Sequence, residues 1–252
     1  MKIEVIPCLE DNYSYLIYEE ETGTVSIVDP SEFDPCEKII SNYKKLDNIL
    51  ITHHHADHVG GNLKLKKKYN SKIFGYKKDK GRIPGIDILL NEDQLFKIGK
   101  LEVKVIFIPG HTSGHIAYYI QKEKVIFTGD TLFSLGCGRV FEGSHKQMFE
   151  SLNKLKVLDP KSRIYCGHEY TKKNLEFCLK FDTENSFLRK REHDINAKIK
   201  NNQPTIPISL EEELKTNIFL RCDNIKVKQA LSQKDSSDQE IFTKLRDLKD
   251  AF

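Results

Sequence analysis

Ile49-Leu50-Ile51-Thr52-His53-His54-His55-Ala56-Asp57-His58 decides how this chain is read. Three apolar residues close a buried-type strand and Thr52 opens a polar stretch, which puts His53 and His55 just past the strand end. Two residues apart in extended chain, they point the same way and can clasp one ion. Asp57 and His58 follow a bend and can serve a second ion, and Gly60-Gly61 allow tight turns before the next helix. A lone histidine is more often a surface or core residue than a ligand. An H-x-H-x-D-H cluster directly after a buried strand is improbable by chance and points to metal.

Working outward, His111 lies in the Gly-rich loop Pro109–His115, Asp130 ends the strand Val125–Thr128, and His168 ends Arg163–Gly167. Every candidate ligand thus falls at the C-terminal end of a strand or in the loop beyond it. Five imidazoles and two carboxylates are too many for one tetrahedral zinc. They suit two adjacent divalent ions sharing a bridging carboxylate, the arrangement of a binuclear metallohydrolase. Such a donor set takes zinc, with iron or manganese as alternatives. His54, His145, His193 and Asp29 read as structural, and His115, in the same loop as His111, as a residue that could orient a ligand.

The first 169 residues interleave strands with helices. Leu101–Ile108 alternates apolar and polar as a half-buried strand does. Tyr13–Tyr18 leading to Val25–Asp29 is echoed by Ile116–Ile120 leading to Val125–Asp130, each a hairpin ending in aspartate. Two related halves, each a sheet with helices outside, predict an α/β fold, a four-layer αββα sandwich, with the site at one edge. From Tyr170 the texture changes to helices over Thr171–Lys180, Glu184–Lys200, Leu210–Asn217 and Asp238–Phe252. The expected division is a metal-site domain over 1–169 and a separate small α-helical domain over 170–252.

Charge and cysteines set the context. The chain has 252 residues, of which 38% are hydrophobic and 31% charged, with 40 basic against 37 acidic. Split at residue 170, the basic and acidic counts are 24 and 23 before it, 16 and 14 from it onward. Neither part is lopsided enough for a polyanion-binding domain, so no nucleic-acid partner is expected. The basic stretch Lys64–Arg82 reads as a solvated helix face and loop. Cys8, Cys36, Cys137, Cys166, Cys178 and Cys222 are scattered with no C-x-x-C pair, which suggests reduced thiols. With no leader-like N-terminus and no long apolar run, the expectation is a cytoplasmic protein without a membrane segment, monomeric or dimeric.

The ligand motif resembles that of the metallo-β-lactamase superfamily, and the match extends to the glyoxalase II (hydroxyacylglutathione hydrolase) family. Supporting segments are Asp11-Asn12-Tyr13, Ile27–Pro30, Pro109–His115, Phe127–Phe133, Gly136–Arg139 and Tyr165–Tyr170. In the tail, Asn217–Arg221 and Arg246-x-x-Lys249-Asp250-x-Phe252 also match. The resemblance implies that His53, His55 and His111 hold one metal and that Asp57, His58 and His168 hold the other, with Asp130 bridging. It also implies that the domain over 170–252 binds substrate and that Arg139, Phe141, Tyr170, Arg246 and Lys249 contact the glutathione part of a thioester substrate. Arg139 and Phe141 depart from the commoner Lys and Tyr, and the Phe gives up a hydroxyl.

The implied reaction is hydrolysis of S-D-lactoylglutathione to D-lactate and glutathione, with Asp57 and Asp130 as the catalytic carboxylates. Glutathione carries two carboxylates and an ammonium, which suits a small cluster of Arg and Lys beside the metals. Water on such a metal has its pKa lowered to about 7. A thiolate leaving group near pKa ~8.5 needs little help from an acid. Two other readings compete: a mononuclear iron dioxygenase acting on glutathione persulfide, and an inactive scaffold of the same fold. The Arg-x-x-Lys-Asp-x-Phe tail argues against the first, and the complete ligand set against the second.

Overall fold

An antiparallel meander whose middle strand is buried almost throughout opens the first sheet. In the strand pairs β1 (Lys2–Cys8) with β2 (Asn12–Glu19) and β2 with β3 (Thr24–Val28), the chains run antiparallel. Helix α1 (Phe33–Ile40) then leads to β4 (Asn48–Leu50), α2 (Ala56–Val59) and α3 (Asn62–Tyr69) to β5 (Lys72–Tyr76), and a loop to β6 (Ile88–Leu90). The strand order is β1-β2-β3-β4-β5-β6, with β3 to β6 parallel. The computed structural model describes residues 1–252 and falls into two compact units, Met1–Phe107 with Gly114–Gly129, and Ile108–Ser113 with Asp130–Phe252.

The first unit also holds β7 (Leu95–Ile98), β8 (Leu101–Phe107), β9 (Ile116–Ile120) and β10 (Val125–Gly129), antiparallel in the order β10-β9-β8-β7. Side chains alternate across β2 with period two. Leu16 and Tyr18 pack with Cys36, Ile40 and Leu65 of α1 and α3 in one cluster. Tyr15 turns the other way, onto Phe127 of β10 at 5.4 Å between ring centroids. Phe74 on Phe96 (5.3 Å) and Tyr76 on Phe107 (4.6 Å) continue that seam between the sheets. The buried Tyr118 hydroxyl donates to the Ile51 carbonyl at 2.8 Å, pinning the chain where the histidine cluster begins.

The second unit contains the hairpin β11 (Leu132–Phe133) and β12 (Gly136–Cys137), α4 (His145–Lys156), and β13 (Arg163–Cys166), which pairs with β14 (Ile208–Ser209). Its other helices are α5 (Thr171–Phe181), α6 (Ser186–Lys200), α7 (Leu210–Thr216), α8 (Ile225–Ala230) and α9 (Asp238–Asp250). Ser144, Ser209 and Ser237 start α4, α7 and α9 with capping boxes, each serine accepting from the third backbone N–H. The four tail helices expected from the sequence are present. Helices α4 and α8 and strands β6 and β7 were not expected. Asp57 and His58 lie on the single turn α2, not in a loop. No helix is long and apolar enough to cross a membrane.

Candidate metal centre

In the first unit, the register of β3 and β4 brings Asp29 beside the histidine loop, since Val28 pairs with Leu50. Asp29 accepts from the Thr52 amide (2.8 Å), the Thr52 hydroxyl (2.6 Å) and His58 Nδ1 (3.1 Å). A hydroxyl has one proton, so Thr52 Oγ1, having given it to Asp29, accepts from His53 Nδ1 at 3.1 Å. The tautomers follow from these partners. His53 and His58 carry their protons on Nδ1 and turn Nε2 inward as acceptors.

His53 Nε2 then meets His55 Nδ1 at 3.1 Å, and His58 Nε2 faces Asp57 Oδ2 at 3.6 Å. Asn12 Nδ2 donates to Asp57 Oδ2 (3.0 Å) and to its carbonyl (3.2 Å), fixing that carboxylate. The donor atoms of Asp29, His53 and His58, three buried residues, lie close enough together to share an ion. Asp29, read from the sequence as structural, is thus the residue that orients two of the four expected ligands in this unit. His115, fully buried, stacks on His53 with centroids 4.6 Å apart. His54 lies between Asp79 (3.4 Å) and Arg82 (3.3 Å), its ring edge-on to His55 at 5.0 Å.

In the second unit, His111 follows Gly110, whose φ of +148° needs glycine because a Cβ would meet Met148 at 2.8 Å. His111 Nδ1 lies 2.9 Å from the Arg139 carbonyl, which can only accept, so Nε2 is again an acceptor. It faces Asp130 Oδ2 at 3.4 Å, and His168 Nε2 approaches the same oxygen at 3.2 Å. An acceptor nitrogen and a carboxylate oxygen turned toward each other repel in a buried site unless a cation lies between them. The pattern recurs in both units, and the donors are imidazole and carboxylate throughout. The residues therefore fit divalent metal.

The expected substrate contacts also lie in the second unit. Arg139, its side chain 58% exposed, approaches Asp250 Oδ1 at 3.4 Å. Arg246 is only 3% exposed: its guanidinium donates to the Cys137 carbonyl at 2.7 Å and to Asp250 at 2.9 and 3.1 Å. Lys249 Nζ donates to the Lys173 carbonyl (3.1 Å) and sits over the rings of Phe177 and Phe252. Burial, then the Arg246 charge, lowers its pKa to about 8. Tyr170 stacks on His168, 4.7 Å apart and 5° from parallel, and Phe141 meets His111 edge-on at 5.2 Å. Cys137 is buried and its thiol is pushed up by that burial, as suits a structural cysteine.

Fold and donor set together define a metallohydrolase of the metallo-β-lactamase superfamily, whose family profile matches residues 10–168. Residues 169–252 match the hydroxyacylglutathione hydrolase C-terminus. The hydroxyacylglutathione hydrolase of Pelagibacter ubique (strain HTCC1062) is 48% identical over 100% of both chains. That of Chelativorans sp. (strain BNC1) is 44% identical over 100% of this chain and 99% of its own. The chain belongs to the hydroxyacylglutathione hydrolase family. Among solved structures, ETHE1 from Myxococcus xanthus shares the fold at a TM-score of 0.71 and 21% identity, over 98% of this chain and 91% of that one.

Proposed function

We propose that the protein hydrolyses S-(2-hydroxyacyl)glutathione thioesters, S-D-lactoylglutathione foremost, to the hydroxy acid and glutathione, the second step of methylglyoxal detoxification. One observation carries the reading: Arg139, whose carbonyl holds His111, shares Asp250 with Arg246, so candidate ligand and candidate glutathione cations belong to one hydrogen-bonded assembly. His53, His55 and His111 would hold one ion and Asp57, His58 and His168 the second, with Asp130 between. Zinc is the ion this donor set favours, with iron or manganese as alternatives. Bound there, two divalent ions supply an activated water and a Lewis acid for the thioester carbonyl.

The chain's own residues do the rest. Asp57, held by Asn12, would orient the attacking water as well as ligate. The leaving thiolate needs no dedicated acid, since a thiol of pKa ~8.5 is a good leaving group. Arg139 and Lys249 would take the glutathione carboxylates, with Phe141 and Tyr170 as walls. Arg246 would act chiefly by holding Cys137 and Asp250 in place. We place the division between catalytic and substrate-binding domains at 169/170. The protein is taken as a cytoplasmic monomer or dimer, a location supported by six free cysteines.

The test compares S-D-lactoylglutathione with a lactoyl thioester of a short thiol lacking the glutathione peptide. The expected result is a KM for the short thioester at least tenfold higher. Equal KM values would remove glutathione from the account.

A further inference from the structure

The tail helices contain a buried ion pair that neither the ligand set nor the glutathione cations use. Arg191 of α6 is 6% exposed and Glu213 of α7 is fully buried, with Arg191 Nη2 2.5 Å from Glu213 Oε1. Arg191 also donates to Ser134 Oγ (2.8 Å) and Thr216 Oγ1 (2.5 Å). The Glu213 carboxylate accepts from the Leu135 amide at 3.0 and 3.2 Å and from Asn217 Nδ2 at 2.8 Å. Asn217 donates on to the Gly136 carbonyl (3.0 Å), and Asn174 of α5 donates to the Ser134 carbonyl (3.0 Å).

The bonds to Ser134, Leu135 and Gly136 converge on one small hairpin. Ser134 and Leu135 join β11 to β12, and Leu135 sits fully buried at a φ of +59°, a conformation disfavoured for leucine. The hairpin's two ends are the chemistry. Asp130 precedes it, and Gly138 and Arg139 follow it. Phe133 on its first strand stands edge-on to His168 and Tyr170, at 5.9 and 5.2 Å.

We propose that Arg191 and Glu213 are positioning residues for hydrolysis. By gripping the turn, they fix the Asp130 carboxylate at one end of the hairpin and the Arg139 carbonyl that orients His111 at the other. A buried ion pair is seldom retained for stability, because apolar replacements of similar size are often as stable. What an apolar pair cannot do is hold a left-handed leucine amide and a serine hydroxyl in register. The inference rests on Asp130 and His111 being ligands, as proposed above.

The experiment measures Tm, bound metal per chain, kcat and KM for S-D-lactoylglutathione in the double variant Arg191→Met/Glu213→Met, in Glu213→Gln, and in Asp130→Asn. For the double variant, a nearly unchanged Tm is expected, with metal affinity and kcat each down about tenfold or more, as when groups supporting a ligand are lost. KM should stay within about twofold. Glu213→Gln keeps an oxygen for the Leu135 amide and should recover most of kcat.

Wild-type kcat and metal content in the double variant, whatever its Tm, would overturn the proposal. Should the double variant not fold, Arg191→Lys decides: lowered kcat and metal content at unchanged KM support positioning, and wild-type kcat with wild-type metal content overturns it. Wild-type metal content in Asp130→Asn would instead overturn the ligand reading itself.

Discussion

Three candidate ligand imidazoles each place Nδ1 against a different acceptor, which leaves Nε2 as the acceptor of the neutral ring. His53 donates to Thr52, His58 to Asp29 and His111 to the Arg139 carbonyl. If these histidines hold metal as proposed, only a neutral imidazole with its other nitrogen unprotonated can ligate, so the acceptors would tune metal affinity. Asp29→Asn is expected to weaken metal binding about 10–100-fold while the chain stays folded. Metal titration alongside far-ultraviolet circular dichroism checks both halves of that statement. The candidate ligand histidines of residues 53–58 stood out in the sequence because they are clustered. Asp29 did not, because it meets His58 across 29 positions through the parallel pairing of β3 with β4, which no local spacing reveals.

At the scale of elements, the loop carrying His111 depends on the helix beneath it. Gly110 at φ +148° lies against Met148 of α4, so Gly110→Ala should cost about 1–3 kcal/mol of stability in urea unfolding, with loss of bound metal. Helix α9 brings the cations. Lys249, lowered from 10.5 to about 8, is an ammonium below that pH and neutral above it. Its neighbours Arg246 and Lys173 favour the neutral form and Glu176 and Cys178 the charged one. If Lys249 grips a substrate carboxylate, kcat/KM should fall as pH rises through about 8. Lys249→Arg, which stays charged, should lose that limb of the profile. Arg246→Ala, by releasing Asp250 and with it Arg139, should raise KM far more than it lowers kcat, and an unchanged KM would contradict that supporting role. The tail helices were legible from the change of texture after Tyr170, with Ser209 and the acids that follow it marking the start of α7. Helix α4 was missed although its signals are local: Ser144 opens a capping box with Gln147, and Met148, Leu152 and Leu155 follow at helical spacing.

At the scale of the molecule, the chain interleaves its two compact units, because residues 108–113 belong with the helical part and 114–129 with the sheets. The sequence shows a change of texture at Tyr170 but no trace of that interleaving, since a six-residue excursion carries no periodicity of its own. The fold class was legible because strand alternation and the two aspartate-ended hairpins survive as local patterns. The grip of the tail on the β11–β12 hairpin was invisible, since Arg191 and Glu213 look like ordinary charges on helix faces. The central claim is that this is a metal-dependent glutathione thioester hydrolase. Its most direct test is turnover of S-D-lactoylglutathione by purified protein before and after chelation, with metal determined on the same sample. The account predicts about two divalent ions per chain and turnover that chelation abolishes and metal restores. Turnover indifferent to chelation, or none with both ions bound, would contradict it.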